Sequence, residues 1–310
     1  MRMRSGKLNV NTRVIELVIF YTAMFFCLLT PQKGLAEIKV KENANPPIRQ
    51  SESVNEPDSI VVAHRGASKM APENTIPAFR LAWEQGADAI EGDFQLTKDG
   101  AIVCIHDKDT KRVSGVKKIV EESTLEDLRK LDAGSWFGEK WRGTQIPLIS
   151  EVFATIPEGK KIYIEIKSES EILPRLFEEL VKSGLKKNQV IVISFDKDVI
   201  RNFKSKEPEI KAFWLSDFKK DKFSGKTEPS LKNVIDVLRQ TGADGFSSTR
   251  KIIEDSFIKA IQNEGYEYHV WTVDDPETAR RFRRLGAKSI TTNLPGYMKK
   301  SFEGKEREKR

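Results

Sequence analysis

The 310-residue chain carries 53 Lys plus Arg against 46 Asp plus Glu, two cysteines and 38% hydrophobic residues. This composition supplies a packed core and excludes the disordered, collagen-like and disulfide-scaffold classes. The net charge of +7 sits at the two ends, +4 within residues 1–36 and +3 within 299–310, so the body is balanced and lacks the basic stripe of a nucleic-acid-binding face.

Val14 to Thr30 is a mostly apolar run behind a basic leader, and Pro31-Gln32-Lys33-Gly34-Leu35-Ala36 ends in small residues, the order of a secretory signal. An uncleaved membrane anchor is the competing reading. The run falls just short of the roughly 20 residues that span hydrocarbon, and Glu16 stands near its start. The pattern predicts a signal peptide over residues 1–36, an exported periplasmic or secreted protein without stable membrane insertion, and a flexible leader over 37–59. Cleavage would leave Cys104 as the sole cysteine and no internal disulfide.

From Ile60 onward β-branched runs alternate with amphipathic segments. Strands are predicted at Ile60 to His64, Ala89 to Thr97, Lys161 to Lys167, Val190 to Phe195, Ile210 to Leu215, Asp244 to Ser247, Tyr268 to Val273 and Ser289 to Thr292. Helical patterns such as Ile76 to Gln85, Glu171 to Ser183, Leu231 to Thr241, Ser256 to Glu264 and Pro276 to Leu285 lie between them. Eight such units fit an α/β TIM (β/α)8 barrel over residues 60–298; an open doubly wound sheet is the alternative. Residues 299–310 read as a charged, flexible tail.

One run breaks the alternation. Ala101 to His106 follows the second strand after only Lys98-Asp99-Gly100, which signals a hairpin. With Asp99-Gly100 as a two-residue loop, Lys98 pairs with Ala101, and His106 falls directly opposite Asp93. Glu91 shares a face with Asp93 by period-2 alternation. In Lys161 to Lys167 the isoleucines should face helices, while Tyr163, Glu165 and Lys167 face inward. The first strand ends in His64-Arg65-Gly66. In this fold the C-terminal strand ends surround the reaction site, so these polar side chains converge on one rim.

Three carboxylates, Glu91, Asp93 and Glu165, without a histidine or cysteine cluster at zinc spacing, select a hard divalent cation, Mg²⁺ or Ca²⁺. With such an ion and the cations Arg65 and Lys167, the cluster is net +1, which suits a monoanionic phosphodiester. His64 and His106 would serve as general acid and base. Trp271 is predicted to wall the substrate pocket near a strand end, His269 to be a hydrogen-bonded barrel residue, and Cys104 to serve packing.

His64-Arg65-Gly66, Pro72-Glu73-Asn74-Thr75, Ala78-Phe79, Gly86 through Asp93, Thr97 through Gly100 and Val103 through Asp107 together resemble, in order and spacing, the N-terminal signature of the glycerophosphodiester phosphodiesterases. Glu165-Ile166-Lys167, Val270 through Val273 and Thr292-Asn293-Leu294-Pro295 continue the likeness, which covers Ser59 to Gly296. The resemblance implies a TIM barrel, His64 and His106 as acid/base pair, a divalent cation on Glu91, Asp93 and Glu165, phosphate contacts from Arg65 and Lys167, and a small glycerophosphodiester substrate. It also implies that the glycerol's neighbouring hydroxyl attacks phosphorus first, forming a cyclic phosphate. The chain departs from the family pattern at Asn293, where Asp is frequent, and at Asp274, where Asn is common; neither is expected to touch the metal or the histidines. Lys108 to Gln145 matches a small insertion of the family, whose Trp136, Phe137 and Trp141 cover the site mouth, bind the alcohol group or form only a minor core. The nearest alternative is lysophospholipase D-like hydrolysis of lysophospholipids; a glycoside hydrolase would not need paired histidines, and a binding module without turnover would not need every acid, base and ligand in place.

Overall fold

The computed structural model describes residues 59–307 apart from 221, 223, 224, 226 and 252. The predicted signal and most of the leader, residues 1–58, lie outside the described residues, as do 308–310. The strands are β1 (Ile60–His64), β2 (Ala89–Leu96), β3 (Ile102–Cys104), β4 (Lys161–Ile166), β5 (Val190–Ser194), β6 (Lys211–Ser216), β7 (Lys219–Lys220), β8 (Thr227–Glu228), β9 (Gly245–Thr249), β10 (Glu267–Trp271) and β11 (Ser289–Thr292); several, such as β1, β4 and β5, are runs of Val and Ile, whereas β7 and β8 are a polar two-residue pair set apart from the main sheet. Eight of them pair in parallel in the order β1-β11-β10-β9-β6-β5-β4-β2, and β1 also pairs with β2, which closes the barrel. The chain is therefore a TIM barrel, and the open sheet is excluded.

The barrel strands are connected by α1 (Ile76–Glu84), α4 (Ile149–Phe153), α5 (Leu173–Ser183), α6 (Lys197–Lys206), α7 (Leu231–Thr241), α8 (Asp255–Asn263) and α9 (Pro276–Arg284); α2 (Lys111–Ser114) and α3 (Leu125–Arg129) belong to the insertion, and α10 (Pro295–Arg307) follows the last strand. Polar residues set several starts by accepting from an orphan N–H of the first turn: Thr75 from Ala78, Ser230 from Asn233 and Asp275 from Thr278. Among the described residues no helix is long and apolar enough to cross a membrane.

Strand parity divides the core in two. Ile162, Ile164 and Ile166 pack outward among the helix-facing residues, while Tyr163 joins Val62, Ala89, Ile191, Ile193, Phe213 and Leu215 inside the barrel. Each fully buried side chain of this size contributes about 1.5–3 kcal/mol. His269 lies in the same interior, stacked on Phe213 at 3.9 Å between ring centroids, with Nδ1 2.8 Å from Ser289 Oγ. It is the hydrogen-bonded barrel histidine that parity predicts.

Two expectations are corrected. The hairpin is shifted by one residue: Phe94 pairs with Cys104, Gln95 with Val103 and Leu96 with Ile102, so Ile105, not His106, lies opposite Asp93. The loop holds three residues, Lys98-Asp99-Gly100, because Gly100 takes a left-handed φ of 78° and its N–H bonds Thr97 O at 3.0 Å. Asp99 is not merely a turn residue, since its carboxylate also accepts from Leu125 N–H at 3.0 Å, at the start of α3. The second correction concerns the tail. Residues 299–307 continue α10; Met298 is fully buried, Phe302 packs on the core, and Lys299 Nζ lies 3.1 Å from both Asp88 oxygens. A charged composition concealed an anchored helix.

The insertion carries its own small core of Val113, Val120, Leu128, Ala133 and Ile146 against Val103 and Ile105. Aliphatic residues build it; Trp136 is 43% exposed and stands edge-on to Phe137.

Candidate active site

β1 ends at His64, and the chain turns sharply: Arg65 has φ 55° and Gly66 φ 80°. Glycine is required at 66 for two reasons. The left-handed conformation disfavours a side chain, and a Cβ there would stand 2.6 Å from the carbonyl carbon of Ala78. This turn points the Arg65 N–H at Glu91 Oε2, 2.9 Å away, while the guanidinium reaches Asp93 Oδ2 at 3.1 Å and Glu73 Oε1 at 2.9 Å.

Register sets the carboxylates side by side. His64 is level with Glu91 across β1 and β2, and Asp93 with Glu165 across β2 and β4. Ligand oxygens of Glu91, Asp93 and Glu165 all lie within 4.8 Å of one another, and all three residues are buried. Burial, then the charge of Asp93, pushes Glu91 up to about 8; the same two causes push Glu165 up to about 7. Asp93 goes the other way: burial alone would raise its pKa, but Arg65 and then Lys167 outweigh that and hold it below the usual aspartate range. Asn74 braces Asp93 at both ends, its Nδ2 donating to Oδ2 at 2.8 Å and its Oδ1 accepting from the Asp93 N–H at 3.2 Å. Glu91 Oε1 and Asp93 Oδ1 are buried and make no hydrogen bond. Three crowded carboxylates with two such oxygens left over fit a hard divalent cation.

Lys167 donates to Glu165 Oε1 at 2.8 Å and lies 3.5 Å from Asp93 Oδ1. Above this cluster opens a cavity of about 110 Å³ whose lining includes His64, His106, Glu165, Lys167, Phe195 and Trp271. Trp271 thus forms part of the wall, edge-on to Phe195 at 5.6 Å, and its indole Nε1 is buried without a partner. Trp136, Phe137 and Trp141 are not among the lining residues.

The structure brings both histidines to this cavity by different means. His64 rides on a strand end, but His106 lies beyond β3, on a segment whose backbone carbonyls at Ile105, His106 and Asp107 all face the Gln95 side-chain amide, at 2.8, 3.3 and 2.7 Å. His106 Nδ1 is 2.7 Å from Asp107 Oδ1, and Arg112 Nε donates to Asp107 Oδ2 at 2.6 Å. Arg112 also donates to both oxygens of Glu73, which takes the Arg65 bond as well. A continuous chain of charges therefore links the two sides of the cavity through the insertion. Although burial opposes it, the bonds from Arg112 and His106 bring Asp107 down to about 2.

His64 Nδ1 is 2.7 Å from Asn293 Oδ1. This corrects the expectation that neither departing residue touches a histidine. Burial, then Arg65, lowers the pKa of His64, against the opposing bond to Asn293. Burial also lowers that of His106; Asp93 and the bond to Asp107 oppose the fall, and Arg65 adds to it. Sequence reasoning missed Glu73, Asn74, Gln95, Asp107 and Arg112 as parts of the site. Glu73, Asn74 and Asp107 stand in the quoted motifs, whereas no local pattern flags Gln95.

A family model for glycerophosphoryl diester phosphodiesterases matches residues 64–297. A glycerophosphodiester phosphodiesterase of Caldanaerobacter subterraneus subsp. tengcongensis is 38% identical over 243 residues, 76% of this chain and 95% of the relative. One of Bacillus subtilis is 31% identical over 266 residues, 80% and 88% of the two chains. Among solved structures, an Oleispira antarctica phosphodiesterase in complex with the product sn-glycerol-3-phosphate superposes with a TM-score of 0.71 at 24% identity, covering 79% of this chain and 96% of the other. A glycerophosphodiester phosphodiesterase from Thermotoga maritima has a TM-score of 0.64 at 28% identity, with coverage of 78% and 98%.

Proposed function

Because the chain belongs to the glycerophosphodiester phosphodiesterase family of phosphoric diester hydrolases, we propose that it cleaves small glycerophosphodiesters to glycerol phosphate and an alcohol, with His64 and His106 moving the protons. The observation that carries this reading is the buried carboxylate trio, two of its oxygens without hydrogen bonds, beneath a cavity bordered by both histidines. Glu91, Asp93 and Glu165 would hold a divalent cation, whose chemistry when bound is to draw charge from phosphate oxygens. Arg65 and Lys167 bind the anionic phosphate, and the Phe195–Trp271 wall flanks the organic part of the substrate.

Of the two histidines, His106 has a carboxylate at Nδ1, so its charged form is the better supported and it gives the proton to the departing alkoxide. His64, with a neutral amide at Nδ1 and Arg65 beside it, takes the proton from the attacking hydroxyl. That hydroxyl belongs to the glycerol next to the phosphate: its oxygen bonds phosphorus as the ester bond to the alcohol breaks, and water then opens the cyclic phosphate with the histidine roles reversed. Equal rates on a diester lacking the hydroxyl would refute internal attack.

The test is release of glycerol phosphate from glycerophosphocholine with and without chelator. Activity that survives metal removal, or survives His64→Ala, overturns the assignment. The lysophospholipid reading would require the rate to depend on acyl-chain length; we expect none. On the strength of the basic leader and apolar run over residues 1–36, we also place the reaction outside the cytoplasm, and an intact mass beginning at Glu37 is the check.

A further inference from the structure

The two positions where the chain departs from its family's common pattern touch each other. Asp274 Oδ1 accepts from the Asn293 backbone N–H at 2.8 Å and from Thr292 Oγ1 at 2.9 Å, and Asp274 Oδ2 accepts from Asn293 Nδ2 at 2.7 Å. The far side of the Asn293 amide, Oδ1, faces His64 Nδ1 at 2.7 Å. Ser68 Oγ lies 2.9 Å from that same oxygen and 2.7 Å from His64 O, so its single proton serves one or the other.

We propose that Asp274, acting through Asn293, dictates which ring nitrogen of His64 carries the proton. A carboxylate can only accept, so Asn293 must turn its NH₂ group to Asp274 and its oxygen to His64. An amide oxygen in turn can only accept, so His64 Nδ1 must be the protonated nitrogen. The lone pair is thereby left on Nε2, of a ring that lines the cavity. Asp274 and Asn293 are positioning residues. They preserve the donor direction that an Asn at 274 and an Asp at 293 would produce, but move the negative charge one side chain further from the imidazole. The catalytic consequence rests on the reading that His64 takes a proton.

The logic fixes the outcome of three variants. In Asp274→Asn the oxygen stays where Asn293 N–H and Thr292 Oγ1 donate, so an NH₂ group faces Asn293; its amide inverts, His64 Nδ1 becomes the acceptor, and the lone pair leaves Nε2. Asn293→Asp sets two carboxylates against each other. The double exchange restores every donor to an acceptor. In the full-length, metal-loaded protein labelled with ¹⁵N-histidine, which has three histidines, His64 should give the shifts of an Nδ1–H tautomer, and Asp274→Asn should interchange them. With glycerophosphocholine, Asp274→Asn should lower kcat about 100-fold with KM within about twofold, and the double variant should recover to within about threefold of the starting enzyme. An Nε2–H tautomer in the unaltered protein, an Asp274→Asn variant at full kcat, or a double variant no better than its parents overturns the proposal. If Asp274→Asn does not fold, the ring signals of the unaltered protein decide alone. They also decide if the protein turns over no diester, in which case the functional reading fails separately.

Discussion

Glu91 gives the site a measurable electrostatic signature. Free of cation, its carboxyl is pushed from 4.5 up to about 8 by burial and by Asp93, so the folded protein holds a proton that the unfolded chain releases near pH 4.5. Stability must then fall as pH rises between those values, by about 1.4 kcal/mol for each pH unit. His64, His106 and His269 have lowered pKa values, so their contribution works oppositely: it rises with pH up to about 6.5 and is silent above. The window from pH 6.5 to 8 therefore isolates the acidic cluster. Glu91 should cost about 2 kcal/mol across it, a fall in Tm of roughly 4–8 °C for a domain of this size. The assay is thermal unfolding in chelator across that window, repeated with saturating Mg²⁺ or Ca²⁺, for the unaltered protein and for Glu91→Gln. The variant keeps an oxygen for the Arg65 N–H but cannot ionise, so its chelated slope should be much flatter. Cation should abolish the slope of the unaltered protein and stabilise the variant less. Equal slopes for the two chelated proteins would refute the crowding argument.

Asp107→Asn removes the carboxylate that supports a charged His106, so the alkaline limb of kcat/KM should move to lower pH; an unmoved limb would count against His106 as proton donor. Arg112→Ala breaks the charge chain between Asp107 and Glu73, and should lower kcat/KM about tenfold while Tm shifts by less than about 4 °C, because Arg112 is 41% exposed. Gly66→Ala forces a Cβ toward the Ala78 carbonyl carbon at 2.6 Å and into a left-handed φ, with a cost of about 1–2 kcal/mol from conformation alone. Calorimetry should show that loss or more, and activity should fall because His64 and Arg65 sit on the same turn.

The barrel was legible because its strands carry a period-2 pattern broken at regular intervals, and because charges at Glu91, Asp93, Glu165 and Lys167 have no business inside a sheet without a ligand. What stayed hidden depended on geometry that spacing does not contain. Whether Gly100 bulges or closes a two-residue loop changes the hairpin register by one, and His106 reaches the cavity from a segment beyond β3 that the Gln95 side chain ties down. Asp274 and Asn293 looked independent because eighteen residues and a whole helix, α9, separate them; only the pairing of β10 with β11 makes them neighbours. The charged end of the chain misled for a related reason, since the few residues that anchor α10, Met298 and Phe302, are thinly spread among lysines and glutamates.

The seam where β1 meets β11 joins the earliest and latest parts of the domain, and the contact of His64 with Asn293 straddles it across 229 positions. A ribosome delivers the histidine long before the amide that orients it. A nascent or prematurely terminated chain, whatever else it has folded, holds neither the closed wall nor a correctly poised imidazole. The arrangement of the site thus depends on the last βα unit, which supplies both β11 and Asn293. Relocating the termini to a surface loop far from this seam would abolish that ordering while leaving the finished molecule the same.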